Sequence, residues 1–95
     1  MLKLSLHSPE SDSYGPISTP LLIGRSEEAD IQVSDIWASR QHCQLEDEDG
    51  KVVLRDLNSR HGTLVNGEPI EDISALSPGD EIAVGLTKFK VHWSP

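Results

Sequence analysis

The heptapeptide LVNGEPI at residues 64–70 carries the clearest structural signal in this chain of 95 residues. An Asn-Gly pair between two short apolar pairs is the strongest short signal for a β-hairpin. Working outward, an acidic turn at residues 47–50 separates two runs with a period of two: Cys43 and Leu45 alternate with polar residues, and Val52 and Leu54 continue the pattern opposite Lys51, Val53 and Arg55. Alternation with a period of two indicates half-buried strands. The centre of the chain is therefore predicted to fold as consecutive antiparallel hairpins.

The rest of the chain follows the same period. Phe89, Val91 and Trp93 alternate with polar residues, and residues 21–23 form a short apolar strand that ends at Gly24. The polar stretch from Ser8 to Ser18 is interpreted as a loop, because it contains several turn-forming residues. No window shows a sustained helical period. Many short strands separated by turn signals predict an all-β fold, an antiparallel β-sandwich.

Length and charge restrict the possible functions. Residues 1–95 are predicted to form a single domain, which could be a module excised from a larger protein. Sixteen acidic residues against eight basic ones give a formal net charge of −8. This balance argues against non-specific nucleic-acid binding and against an anionic membrane surface, since both require a basic field.

Three further observations concern the location of the protein. Cys43 is the only cysteine and cannot form an intramolecular disulfide, and no apolar run is long enough to span a bilayer. The start of the chain also lacks the pattern of a signal peptide. We therefore expect a cytoplasmic protein.

The arginines are distributed unevenly. Three of the four, Arg25, Arg40 and Arg60, fall in predicted loops between strands, although the protein as a whole is acidic. A planar guanidinium group is well suited to phosphate. At physiological salt, charges more than about 8 Å apart are largely screened, so local arginines outweigh distant carboxylates. The sequence predicts a local site for an anion.

Four motifs carry a family resemblance: Gly24-Arg25, SRQH at residues 39–42, NSRHGT at residues 58–63, and Asn66-Gly67. Their order and spacing resemble the forkhead-associated (FHA) domain family, and the resemblance extends from about Leu21 to Trp93. Members of this family bind phosphothreonine peptides through loops clustered at one end of a β-sandwich. The resemblance therefore implies a phosphothreonine-dependent protein–protein interaction module.

The resemblance also implies roles for individual residues. Arg25, Ser39, Arg40 and Arg60 occupy positions that contact the phosphate in the family. His61 occupies the position of an asparagine that usually holds the backbone of the bound peptide, and imidazole cannot reproduce the bonding set of an amide. Residues expected to support the loops structurally are Gly24, His42, Gly62, Asn66 and Gly67.

The sequence also bears on catalytic, metal-binding and phosphate-independent functions. Ser39, His42 and Asp56 are residue types of a hydrolytic triad, but no nucleophile-activating turn accompanies them. The histidines and Cys43 lack metal-ligand spacing. We therefore expect no enzyme activity, no metal, no cofactor and no small-molecule substrate. The remaining alternative is a phosphate-independent FHA-like interaction or scaffolding domain that uses a sheet face or edge, and the retained arginines and serine favour phosphate binding over it.

Overall fold

The computed structural model of the protein describes residues 3–7, 13–17 and 19–94. They form eleven strands and no helix. The strands are β1 (Lys3–His7), β2 (Ser13–Ile17), β3 (Leu21–Gly24), β4 (Ile31–Gln32), β5 (Cys43–Glu48), β6 (Lys51–Asp56), β7 (Thr63–Val65), β8 (Glu68–Pro69), β9 (Ile73–Ala75), β10 (Glu81–Val84) and β11 (Thr87–Ser94). No helix in these ranges has the length and apolarity needed to cross a membrane.

The strands form two sheets, which confirms the predicted all-β sandwich. The six-stranded sheet has the order β2-β1-β11-β10-β7-β8, and the five-stranded sheet has the order β4-β3-β5-β6-β9. Pairing is antiparallel except between β3 and β4, which run parallel. This exception arises because the chain passes from β3 to β4 through a loop without reversing direction.

The core follows from the period of two. Along β5 the buried residues Cys43 and Leu45 alternate with partly exposed ones, and along β11 Phe89 and Val91 are buried while their neighbours are exposed. Side chains of successive strand residues point to opposite faces, so one face of each sheet can enclose a continuous apolar cluster. Further members of this cluster are Leu6, Leu21, Ile23, Val52, Leu54, Ile82 and Val84.

The predicted loop from Ser8 to Ser18 is wrong in part. Residues 13–17 form β2, which pairs with β1 across an irregular register. The residues that suggested a loop, Gly15 and Pro16, are tolerated here because β2 lies at the edge of its sheet among the described strands. Residues 8–12 and 18 lie outside the described residues.

The connections at the two ends of the sandwich differ in length. One end carries tight turns, including the predicted hairpin at Asn66 and Gly67, whose φ angles are 52° and 84°. The other end carries the longer connections 25–30, 33–42 and 57–62, because β3 and β6 end there and β5 begins there. The short turn between β10 and β11 lies at the same end. We call it the recognition end.

Candidate functional site

A groove of about 320 Å³ lies at the recognition end. It is lined by Arg25, Ile36, Trp37, Ala38, Ser39, Arg40, Arg60 and His61. All five residues predicted to contact a phosphopeptide are in this set, although they come from three separate connections.

The first connection is held against the second by backbone contacts. The amide of Arg25 donates to the carbonyl of Ser39 at 3.0 Å, and the amide of Ser26 donates to the carbonyl of Arg40 at 3.1 Å. Gly24 permits this approach, since a Cβ atom at that position would lie 2.0 Å from the Arg40 carbonyl oxygen. The backbones that carry Arg25 and Arg40 are therefore fixed beside each other.

The third connection is attached through Ser39. Its Oγ accepts a hydrogen bond of 3.0 Å from the amide of Arg60. A hydroxyl group that accepts one bond still has its own proton to donate. Ser39 thus positions the backbone of Arg60 and keeps a donor for a ligand in the groove.

His42 joins the second and third connections from below. Its side chain is fully buried; Nδ1 accepts from the amide of Ser39 at 3.0 Å, and Nε2 lies 2.9 Å from the carbonyl oxygen of Gly62. Because a carbonyl oxygen can only accept and a backbone N–H can only donate, Nε2 is the donor and Nδ1 the acceptor in these two bonds. Both nitrogens are occupied by backbone groups, so His42 cannot act as a base toward Ser39 Oγ.

Asp56 orders the third connection, a role that the sequence analysis did not assign. Its carboxylate accepts from the amide and hydroxyl of Ser59 and, at 2.7 Å, from the hydroxyl of buried Thr63. Burial raises the pKa of Asp56, but these hydrogen bonds outweigh it and hold the pKa below its ordinary value. The Asp-x-x-Ser spacing could have indicated such a local turn.

Asp35 anchors the second connection and was also missed. It accepts from the amide of Trp37 at 2.8 Å, from the amide of Leu86 and, at 3.1 Å, from the hydroxyl of Thr87. Burial raises its pKa, but the hydrogen bonds to these groups lower it overall. Gly85 leaves the necessary space, since a Cβ there would lie 2.7 Å from the carboxylate. Most of these partners are some 50 residues away in sequence, so no local pattern could reveal the contact.

Trp37 and His61 form a ridge between the groove and a second cleft. Their rings meet edge to face with centroids 5.1 Å apart, and Trp37 is 46% exposed. The second cleft has a volume of about 200 Å³. Besides the two rings it is lined by Gly62, Leu64, Ala83, Gly85 and Leu86. An apolar cleft thus adjoins the arginine-lined groove.

The four arginines divide into two kinds. Arg55 lies on β6, and its Nε and Nη2 donate to the carboxylate of Glu46 at 3.1 and 3.3 Å. Within residues 3–7, 13–17 and 19–94, the guanidinium groups of Arg25, Arg40 and Arg60 form no hydrogen bond or ion pair. Three guanidinium groups that have no partner among the described residues therefore line one groove.

Two of the residues predicted to support the loops lie away from the groove. Asn66 and Gly67 lie at the opposite end and do not line the groove. The side-chain amide of Asn66 donates to the carboxylate of Asp80 and accepts from the backbone amide of Glu81.

No group of three or more metal-ligating side chains is present in the described part of the chain. Burial raises the pKa of Cys43 to about 12, so its thiol is not poised for nucleophilic chemistry.

Comparison with known proteins identifies one family and a number of similar proteins. The family model for the FHA domain matches residues 21–85. An oxoglutarate dehydrogenase inhibitor of Corynebacterium diphtheriae is 40% identical over 68 residues, covering 72% of this chain and 46% of that protein. The chain thus spans about half the length of this curated relative.

Two solved structures resemble the fold closely. One, from a structural and functional analysis of phosphothreonine-dependent FHA domain interactions, has a TM-score of 0.87 and 29% identity, covering 97% of both chains. The other is Mycobacterium tuberculosis EmbR in complex with a low-affinity phosphopeptide. It has a TM-score of 0.89 and 28% identity, covering 94% of this chain and 24% of EmbR.

Proposed function

Because this chain belongs to the FHA domain family, we propose that it is a phosphothreonine-binding module that docks phosphorylated partner proteins without chemistry on them. Two structures similar to it come from phosphothreonine-dependent or phosphopeptide-bound FHA proteins. The observation that carries the proposal is the set of three guanidinium groups, those of Arg25, Arg40 and Arg60, which line one groove and have no partner among the described residues.

Electrostatics support an anionic ligand. Three cations that line one groove repel one another, and a bound phosphate relieves this repulsion. A phosphothreonine carries about −1.5 to −2 charges near neutral pH and three acceptor oxygens. Each charge-assisted hydrogen bond is worth roughly 1.5–3 kcal/mol before the cost of ordering the peptide. The Ser39 hydroxyl adds one neutral donor.

The peptide around the phosphothreonine meets a different surface. His61 forms the ridge with Trp37 and has no hydrogen-bond partner in the described part of the chain, so its ring nitrogens are available to the peptide backbone. Beyond the ridge, the apolar cleft beside Leu64 and Leu86 provides a surface for side chains that flank the phosphothreonine. Charge would thus fix one residue of the ligand, and apolar contact would select its neighbours.

We extend the proposal to the chain as a unit and to its location. Residues 1–95 act as one binding module, supported by the single core that both sheets share in the described part of the chain. The module works in the cytoplasm, supported by a lone cysteine that is buried as a free thiol. Immunofluorescence of the tagged chain, or fractionation, tests the location.

Calorimetry tests phosphate dependence directly. A degenerate phosphothreonine peptide library supplies a binding sequence, which is then measured with and without its phosphate. We expect measurable affinity only for the phosphorylated form, and Arg25→Ala to weaken binding by about 100-fold, equivalent to losing one or two charge-assisted bonds. Melting temperature should stay nearly constant, since Arg25 is exposed and unpaired.

Arg55→Ala is the matched control. It removes a guanidinium group of the same kind from the outer face of a sheet, away from the groove. Its affinity for the phosphopeptide should equal that of the unmodified chain. Equal affinity for the phosphorylated and bare peptides would reject the proposal and leave the phosphate-independent reading of the domain.

A further inference from the structure

We propose a second binding surface on this molecule: the free edge of β9 and the acidic groove beside it, which accept an extended partner segment with alternating apolar and basic residues. Such a segment would add a strand to the five-stranded sheet. The surface includes none of the residues that line the arginine groove, and its occupancy requires no phosphate.

The backbone of β9 has unused hydrogen-bonding groups. Among the described strands, β9 is last in its sheet and has β6 as its one neighbour. The carbonyl of Asp72 accepts from the amide of Asp56, and the amide of Leu76 donates to the carbonyl of Val52. The backbone N–H and C=O groups of residues 72, 74 and 76 therefore point toward β6. Because the direction of the backbone N–H and C=O groups alternates along a strand, those of Ile73 and Ala75 point away from β6, toward the open edge. Only the Ala75 carbonyl is partly used, by Ser74 Oγ at 3.4 Å.

The other three sheet edges carry features that discourage strand addition. Strand β2 contains Pro16, β8 contains Pro69, and β4 has only two residues. Proline, extreme shortness and charge are common means by which proteins protect sheet edges. Strand β9 has no proline and no charged residue, and its Ile73 is 42% exposed. It is the one unprotected edge among the described strands.

The groove beside β9 indicates the chemistry of the partner. It has a volume of about 580 Å³ and separates β9 from the edge strand of the other sheet, β8. Its apolar surface comes from Val65, Pro69, Ile70 and Ile73, and its charged residues, Glu68, Glu71 and Asp80, are all acidic. A segment that places an apolar side chain on Ile73 and lysine or arginine beside Glu68 and Glu71 would match both features.

Charge also decides against a second copy of this chain as the occupant. Pairing β9 with β9 of another molecule would bring Glu71 and Asp72 of both copies to one interface. The whole chain has a formal net charge of −8, which adds to the repulsion. A basic partner segment gains from the same charges.

Nuclear magnetic resonance with two synthetic probes tests the proposal. The ¹⁵N-labelled chain is titrated with a nine-residue peptide that alternates lysine and valine, and separately with its glutamate–valine counterpart. We expect the lysine peptide alone to shift the amide signals of Ile73 and Ala75 and to slow their hydrogen exchange. The amide signals of Arg25 and Arg60 should not move, which would show that the peptide does not bind in the arginine groove.

Two variants provide the controls. Ala75→Pro removes an outward amide while leaving every bond to β6 in place, and should reduce affinity for the lysine peptide about tenfold. Ile73→Lys, at an exposed side chain, should do the same through repulsion and does not depend on proline being accommodated. Thermal melts confirm that each variant is folded.

Three results would overturn the proposal. They are binding of the lysine peptide without shifts at β9, equal binding of both peptides, or unchanged affinity in the two variants. Concentration-dependent shifts at Ile73 and Ala75 without any peptide would identify a second copy as the occupant instead. Failure of phosphothreonine binding would leave this test unaffected, because neither probe contains phosphate.

Discussion

The two ends of the sandwich use polar side chains for different purposes. At the far end, the Asn66 amide and the Asp80 carboxylate hold tight turns, and no arginine is nearby. At the recognition end, Asp35, Asp56 and His42 hold long connections, while the guanidinium groups of the three arginines have no partner among the described residues. Neutral and acidic groups thus support the loops, and the cations are left for a ligand. Substitutions at the far end should therefore leave phosphopeptide binding unchanged. At the recognition end they should change stability or phosphopeptide binding, depending on the residue.

The largest effect is expected from His42→Ala. The substitution leaves a cavity at a fully buried position and two backbone groups, on Ser39 and Gly62, without partners. The free energy of unfolding should fall by about 3 kcal/mol, and phosphopeptide binding should weaken because Ser39 loses its support. Urea denaturation and calorimetry on the same preparation measure the two effects.

Asn66→Ala is the matched substitution at the far end. It removes the side-chain hydrogen bonds to Asp80 and Glu81, and it places alanine at a position with positive φ, which alanine adopts less readily than asparagine. The free energy of unfolding should fall by about 1–2 kcal/mol. Its affinity for the phosphopeptide should not change at a temperature where it is folded. If Asn66→Ala weakened binding as much as His42→Ala, the two ends would not be separable.

Acid should act mainly on the recognition end. The pKa values of Asp35 and Asp56 are lowered in the folded state, so their stabilisation is complete above the unfolded value of about 3.9 and is lost as pH falls through the folded values. The free energy of unfolding should therefore decrease below about pH 4. Urea unfolding measured from pH 7 to pH 3 gives this dependence.

Asp56→Asn tests the source of that pH dependence. An amide NH₂ placed against the Ser59 amide loses one bond and creates a repulsion, so stability at pH 7 should fall by about 1–2 kcal/mol. The acid-induced loss should be smaller than in the unmodified chain. An unchanged pH profile would show that other carboxylates are responsible.

The smallest effect is expected from His61→Asn, which affects binding without affecting stability. His61 is exposed, so the free energy of unfolding should change by less than about 0.5 kcal/mol. An asparagine amide can donate and accept on one planar group, and should tighten phosphopeptide binding a few-fold. Weaker binding would instead show that the histidine, with its Trp37 contact, suits a particular partner.

Much of the fold followed from local patterns, and the two errors concern how strands are arranged in the sheets. The hairpin at Asn66 and Gly67 was predicted because its turn chemistry is contained in two residues. Strand β2 was missed because Gly15 and Pro16 suggest a turn, and only its position at a sheet edge makes them acceptable. The parallel pairing of β3 and β4 was missed because strand direction depends on the path of the connection between them.

By itself, the sequence determined the period-two pattern, the tight turns and the presence of three arginines in connections of an acidic chain. Those are properties of neighbouring residues, which backbone sterics and side-chain alternation fix locally. The tertiary structure alone decided that Asp35 would hold Leu86, that His42 would hold Gly62, and that Ile73 would lie on an open edge. These contacts join residues 20 to 51 positions apart, or depend on the absence of a neighbour. Such contacts form only when the chain folds into two packed sheets, because their energies arise between segments that are distant in sequence.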